Sequence, residues 1–159
     1  MRHISATALT AMLLLPVSLY AQTTRDFSGQ WTMDTARSQS AQQGEPFKAI
    51  TFLITQGAGQ VRIETTRGDA KENVLYPLTQ SRASGSSGQP EAYWDGDQLV
   101  TETQRTVSGQ TVTVREARTL GAGGAEMTVE TTVIVQHGYS MPGAKNYGHS
   151  KDIFTKATP

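Results

Sequence analysis

Two histidines, His137 and His149, lie near the two ends of a late stretch with glycines at 138, 143 and 148. The polar residues around them are Tyr139, Lys145, Tyr147 and Asp152. If this stretch folds back on itself, imidazole, phenol and carboxylate groups could meet and either hold a metal or transfer protons. Their spacing matches no established ligand motif, and the simpler interpretation is two exposed histidines on a loop over 137–150. We therefore predict no catalytic residue, no metal site and no cofactor.

Other kinds of chemistry have little support in the sequence. The chain has no cysteine and no Gly-x-Ser-x-Gly elbow, and the serine-rich segment 84–88 is a polar loop. The glycines of 121–124 are not followed by a Lys-Ser or Lys-Thr pair, so they do not predict a phosphate-binding loop. Three acids lie near Arg115 and Arg118, and we expect cross-strand ion pairs between the two groups. These acids are Glu116, Glu126 and Glu130.

The strongest hairpin signal is Trp94-Asp95-Gly96-Asp97, because Asp-Gly favours a tight two-residue turn. A type I′ turn centred on Asp95 and Gly96 would pair Trp94 with Asp97. One face of this hairpin carries less charge than the other, and we predict that it points inward and binds a ligand. Its members are Ala92, Trp94, Leu99, Thr101 and Thr103. The alternative is that the threonines face solvent, since β-branched residues favour strands in either position.

The elements that must position these residues are short strands. Alternation with a period of two, interrupted by glycine-containing turns, predicts about nine strands. They cover 27–34, 48–56, 61–66, 73–78, the two arms of the hairpin within 91–104, 111–120, 127–136 and 152–156. Connections are short, so strands adjacent in sequence should pair. We predict an all-β fold, a single antiparallel up-and-down barrel of about 8–10 strands that leaves no exposed edge.

The N-terminus has a different character from the rest of the chain. A basic start at Met1-Arg2-His3 precedes a mostly apolar run over 6–17, and Ala21 offers a small residue for cleavage. This pattern predicts a signal peptide over 1–21 and a barrel domain over 22–159. The apolar run is shorter than the about 20 residues of a membrane span, although an N-terminal anchor is the alternative. We expect export to a bacterial periplasm or the cell exterior.

Charge and composition limit the partners. The 14 basic and 14 acidic residues balance, so there is no basic excess to neutralise phosphates, and we predict no nucleic-acid partner. We expect a monomer without a stable membrane span.

Three short motifs, in order, resemble one group of proteins. Asp26-Phe27-Ser28-Gly29-Gln30-Trp31 is similar to the Gly-x-Trp opening of the calycins, which include lipocalins and fatty-acid-binding proteins. Together with Trp94-Asp95-Gly96-Asp97 and Phe154-Thr155-Lys156, it resembles secreted bacterial lipocalin-like proteins of unknown function. The resemblance implies a closed barrel with Trp31 at its base and Lys156 packed on that indole. It also implies that barrel closure rests on Phe27, Gly29, Trp31, Phe154 and Lys156.

These observations favour an exported lipocalin-like protein that binds a small hydrophobic or amphipathic molecule in a barrel cavity. Aromatic and aliphatic walls would bury the ligand, and a few hydroxyls would orient it. One alternative is an isomerase- or hydrolase-type enzyme that uses His137, Tyr139 and His149. The other is an envelope interaction module with a filled barrel and a functional surface.

Overall fold

The computed structural model describes residues 25–42, 48–82, 88–136 and 146–158. The predicted signal peptide over 1–21 lies outside these residues, as do His137, Tyr139 and Lys145. Export and cleavage therefore stay predictions.

In the described parts of the chain, nine strands form a closed barrel in which each strand pairs with its neighbours in sequence and β9 returns to β1. The strands are β1 (Gly29–Met33), β2 (Ile50–Gln56), β3 (Gln60–Arg67), β4 (Ala70–Thr79), β5 (Glu91–Asp95), β6 (Gln98–Val107), β7 (Gln110–Leu120), β8 (Glu126–Gln136) and β9 (Tyr147–Lys156). A 3₁₀ turn at Ser40–Gln42 follows β1. The predicted all-β, lipocalin-like barrel is confirmed.

One pairing differs from the antiparallel pattern. β4 and β5 run parallel, with Leu78 opposite Ala92 and Thr79 opposite Tyr93. A tight hairpin cannot join parallel strands, and the long connection 80–90 allows the chain to return before β5 begins. Arg82, which follows β4, donates a hydrogen bond to the carboxylate of Glu102 in β6 at 2.8 Å.

The hairpin between β5 and β6 has a register different from the predicted one. Trp94 lies opposite Leu99, not Asp97, and Gly96 and Asp97 form the turn. Gly96 has a φ of 62°, whereas Asp97 is not among the residues with positive φ. The turn therefore has the positive-φ pattern of type II′ and not of type I′. Because the partner moves by two positions, the side chains keep the faces predicted for them.

The last strand begins earlier than the sequence predicts. β9 starts at Tyr147, and His149 pairs with Thr132 of β8. The predicted loop over 137–150 is therefore wrong for its last four residues. Strand pairing with the regular alternation of β8 outweighs the loop tendency of Gly148.

Alternate residues of the strands form an apolar cluster inside the barrel, with 15 buried members among the described residues. Its largest fully buried side chains include Trp31, Phe27 and Phe154. A second, smaller cluster of Tyr93, Val100 and Ala117 lies on the outer side of β5–β7. Among the described residues, no helix is long and apolar enough to cross a membrane.

Candidate ligand cavity

One end of the barrel is filled by aromatic side chains. Trp31 is fully buried, and its indole Nε1 donates a hydrogen bond to the carbonyl of Phe27 at 2.9 Å. Lys156 lies opposite Trp31 across the β1–β9 pairing, and its Nζ is 5.3 Å from the centroid of the indole ring. Phe154 lies further along the same pairing, opposite Met33. The five residues predicted to close the barrel all lie in or beside this junction of first and last strands.

Gly29 makes this junction possible. Its φ is 135°, a backbone conformation that residues with a side chain rarely adopt. A Cβ placed on Gly29 would lie 2.5 Å from Cε of Lys156. The missing side chain therefore leaves the space through which Lys156 reaches the indole.

The five residues predicted to bind a ligand lie in or beside the packed core. Ala92 and Leu99 are fully buried in the core, and Trp94 packs against that core with its ring 6.1 Å from Phe27. Thr101 is buried and Thr103 is half-buried. None of the five lines the cavity described below, and their ligand-binding role stays a prediction.

A charged pair lies in the middle of the barrel. Arg118 is fully buried, its Nη1 donates to Thr101 Oγ1 at 2.7 Å, and its Nη2 donates to the carboxylate of Glu116. The guanidinium carbon also lies 5.4 Å from the centroid of Phe52. Nε of Arg118 is buried without a hydrogen-bond partner among the described residues. The positive charge of Arg118 is therefore balanced by Glu116, whose side chain is 25% exposed.

Tyr76 faces the same charged pair. Burial raises the pKa of its hydroxyl to about 12, and the nearby Glu116 carboxylate adds to this rise, whereas Arg118 opposes it. A hydrogen bond from Thr101 also opposes the rise, so the hydroxyl of Tyr76 lies beside Thr101.

A cavity of about 220 Å³ lies between this pair and the end of the barrel opposite Trp31. Its apolar wall consists of Ile50, Phe52, Val114, Val129, Val133 and Phe154. Its polar lining consists of Ser40, Arg67, Arg105, Glu116, Thr131, Ser150 and Asp152. The volume is below the about 300–1,000 Å³ of sites for drug-sized ligands, so it suits a smaller molecule.

The segment after β1 covers one side of this cavity. Backbone hydrogen bonds join Asp34 to Ile153 and Gln39 to Lys151, and the Ser38 hydroxyl accepts from the backbone N–H of Ile153 at 2.9 Å. These bonds fix the turn Ser40–Gln42 against β9. The Ser40 side chain is thereby placed on the cavity lining.

Two exposed arginines belong to the cavity lining. Arg67 at the end of β3 and Arg105 near the end of β6 are exposed, and neither forms an ion pair with another described residue. They lie three strands away from β9 in either direction around the barrel. Two cationic groups therefore stand across the cavity from Asp152.

Of the two histidines considered for an alternative site, the structure describes His149. His149 is exposed, and its neighbours in sequence, Gly148 and Ser150, belong to the inward-facing register of β9. His137 and Tyr139 lie outside the described residues. Within 25–42, 48–82, 88–136 and 146–158 there is no group of three acidic or histidine side chains that could hold a metal ion.

The predicted ion pairs among the acids and Arg115 and Arg118 form only in part. Glu116 pairs with Arg118 within one strand and inside the barrel, not across strands on the surface. Glu126 pairs with Arg37, and Glu130 pairs with Lys151. Arg115 contacts Glu102 and Asp95 on the outer face. Strand register, which the sequence does not give, decides these partners.

The sequence does contain a signal for the buried charges. In β7, Glu116 and Arg118 share their parity with Val112, Val114 and Leu120, so the alternation places them on the inward face. Asp152 likewise shares its parity with Phe154. If the alternation of inward-facing apolar residues is continued through the charged positions, it predicts that Glu116, Arg118 and Asp152 all face the interior.

Comparison with known proteins shows similarity of overall shape only. No family model matches the sequence, and no curated protein matches it either. The solved structures that match include a mutant of the fluorescent protein UnaG, with 14% identity, a TM-score of 0.47, and coverage of 84% of this chain and 97% of that one. Others are a REP1-NXSQ fatty acid transporter (10% identity, TM-score 0.41, coverage 83% and 96%) and a secretary abundant heat soluble protein from Ramazzottius varieornatus (12%, 0.39, 82% and 94%).

At this level of similarity, the matches do not indicate what this chain binds. The chain is a closed, lipocalin-like β-barrel by its own strand order.

Proposed function

We propose that this protein binds a small amphipathic molecule in the 220 Å³ cavity on the side of the barrel away from Trp31. The observation that carries this proposal is the contrast between the two ends. Trp31 and Phe27, both fully buried, fill one end, while the described residues towards the other end leave space between apolar walls and polar groups.

The composition of the lining supports an amphipathic ligand. Phe52, Phe154 and three valines offer apolar surface, and burial of a ligand's apolar part there gains about 25 cal/mol per Å². Serine, threonine, carboxylate and guanidinium groups in the same cavity can orient a polar group. The position of Glu116 beside Arg118 makes the floor of the cavity polar without leaving a net charge there.

We further propose that the protein is exported, as the N-terminal sequence pattern predicts. Secretion of the full chain and N-terminal sequencing of the secreted form would test this proposal. We expect cleavage after Ala21.

Binding can be tested with straight-chain alcohols as probes and a matched pair of variants. Val133 lines the cavity, whereas the next residue, Ile134, is 41% exposed on the outer face. We expect Val133→Phe to fill the cavity and weaken alcohol binding by about tenfold or more, and Ile134→Phe to change it by less than about twofold. The measurement is titration followed by ¹H–¹⁵N chemical-shift changes.

Two results would contradict the proposal. One is that alcohols leave the amide signals of the cavity residues unchanged. The other is that Ile134→Phe weakens binding as much as Val133→Phe does.

A further inference from the structure

Asp152 is a buried carboxylate on the cavity wall. Its exposed fraction is 5%, and it forms no ion pair with any described residue. The other acid of the lining, Glu116, is already paired with Arg118. Asp152 is thus the acid of this cavity whose charge the described residues leave unbalanced.

Its hydrogen bonds leave acceptor capacity unused. Oδ1 accepts from the backbone N–H of Ser40 at 2.9 Å, and Oδ2 accepts from the hydroxyl of Ser150 at 3.5 Å, the limit for a hydrogen bond. A carboxylate can accept about four hydrogen bonds. Oδ2 in particular has no close donor in the part of the chain that the structure describes.

A second unsatisfied group lies beside it. Oγ of Ser40 is buried and has no hydrogen-bond partner among the described residues, although the backbone N–H of the same residue donates to Asp152. A buried hydroxyl without a partner costs free energy that a ligand group could recover. Ser40 Oγ and Asp152 Oδ2 therefore form a polar corner in which both oxygens can accept a further hydrogen bond and, among the described residues, no positive charge pairs with Asp152.

Aromatic rings stand close to this corner. Phe52 and Phe154 line the same cavity, with ring centroids 4.7 Å apart. Phe154 lies two residues from Asp152 on β9, so both side chains point into the barrel. The faces of aromatic rings attract cations, as carboxylates do.

The cationic side chains of the cavity lining do not reach the corner. Arg67 and Arg105 lie across the barrel and make no ion pair with Asp152. The positive charges of Arg67 and Arg105 repel a ligand with several positive groups. A ligand with a single cationic group can direct that group towards β9, away from both arginines.

We propose, as a refinement that rests on the ligand-binding function above, that the ligand carries one ammonium group that binds between Asp152 and Ser40. Its N–H groups donate to Asp152 Oδ2 and Ser40 Oγ, and its short apolar body lies against Phe52, Phe154 and the valines. The class of ligand is a small primary or secondary monoamine.

The test compares three probes of equal chain length: n-butylammonium, n-butanol and butyrate. We expect the wild-type protein to bind butylammonium at least about tenfold more tightly than butanol, because the ammonium hydrogen bonds are charge-assisted. Butyrate should bind more weakly than butanol. Nuclear Overhauser effects from the methylene next to nitrogen should reach Ser150 and Asp152, not Arg67 or Arg105.

Asp152→Asn is the informative variant because the amide keeps an oxygen for the N–H of Ser40 and removes the charge. It should lower butylammonium affinity by about tenfold and change butanol affinity by less than about twofold. Glu130→Gln is the matched control, since Glu130 lies on the adjacent strand and pairs with Lys151 on the outer face. It should leave both affinities unchanged. Ser40→Ala should weaken the binding of butylammonium but not the binding of butanol. It replaces Asp152→Asn as the test if that variant does not fold.

Several outcomes would overturn the inference. Three outcomes would reject the ammonium group but not binding in the cavity. They are equal binding of the three probes, tighter binding of butyrate than of butylammonium, and a loss of butanol affinity in Asp152→Asn as large as the loss of butylammonium affinity. Absence of binding by all three probes would reject the cavity function as well.

Discussion

Replacement of Arg118 by methionine tests the polar centre of the barrel. Methionine keeps an unbranched stem of similar length but removes the charge. Arg118 is fully buried, so its loss leaves the Glu116 carboxylate without its partner and leaves Thr101 without the hydrogen bond of 2.7 Å. We expect a large decrease in the free energy of unfolding.

The magnitude follows from the burial of the partners. Breaking a buried ion pair by removing one member costs about 3–5 kcal/mol. Because the Glu116 side chain is 25% exposed, water can solvate part of its charge, which places the cost near about 3 kcal/mol. A barrel with a typical stability of about 5–15 kcal/mol would remain folded but weakened.

The assay is urea unfolding followed by tryptophan fluorescence, with the double variant Arg118→Met/Glu116→Gln as the comparison. Removing both charges avoids the unpaired carboxylate, so we expect the double variant to be more stable than Arg118→Met by about 1–2 kcal/mol. Glu116→Gln alone should cost at least as much as Arg118→Met, since it leaves the fully buried charge of Arg118 without a counter-charge. A cost below about 1 kcal/mol for Arg118→Met, or a double variant no more stable than the single one, would refute this account of the buried pair.

Two further predictions concern the closed end and the buried phenol. Gly29→Ala should destabilise the fold by about 1–3 kcal/mol through backbone strain. It should cost about 0.5–1 kcal/mol more because the new Cβ displaces Cε of Lys156 and so moves the ammonium group away from Trp31. Urea unfolding should show a smaller cost in a Lys156→Ala background, and equal costs in both backgrounds would argue against the steric link. For Tyr76, the folded pKa of about 12 exceeds the ordinary value of 10.0, so the stability from this group is full below pH 10 and is lost as the pH rises through 12. Alkaline titration followed by tyrosinate absorbance should lose a step near pH 12 in Tyr76→Phe, and a curve that keeps this step would contradict the burial argument.

The sequence predicted the barrel because its evidence is local. Alternation in segments such as 50–56 and 126–136, with glycines between them, directly reflects which residues face the interior. The faces of the β5–β6 hairpin were also predictable, since a change of register by two positions leaves them unaltered. The parallel pairing of β4 with β5 was not predictable, because it depends on the path of the 80–90 connection.

The candidate site was harder to predict because it depends on long-range geometry. Trp94 was predicted to bind a ligand because it lies on the less charged face of its hairpin, yet Phe27, far away in sequence, packs beside it at the closed end. Asp152 looked like part of a histidine cluster, whereas the pairing of β8 with β9 turns its side chain into the barrel next to Ser40. Which end of a barrel is filled follows from which distant side chains meet there.

The meeting of β1 with β9 has a consequence for how the molecule folds. Thr155 donates a hydrogen bond to the carbonyl of Thr32 across 123 residues of sequence, and Ser38 contacts Ile153 across 115. Contacts of such high sequence separation slow folding, with all-β domains of this kind folding in milliseconds to seconds. Since Lys156 and Phe154 complete the closure, a chain growing from its N-terminus holds β1 without its second partner until β9 has been made. The barrel can therefore close only once β9 has been synthesised and has paired with β1.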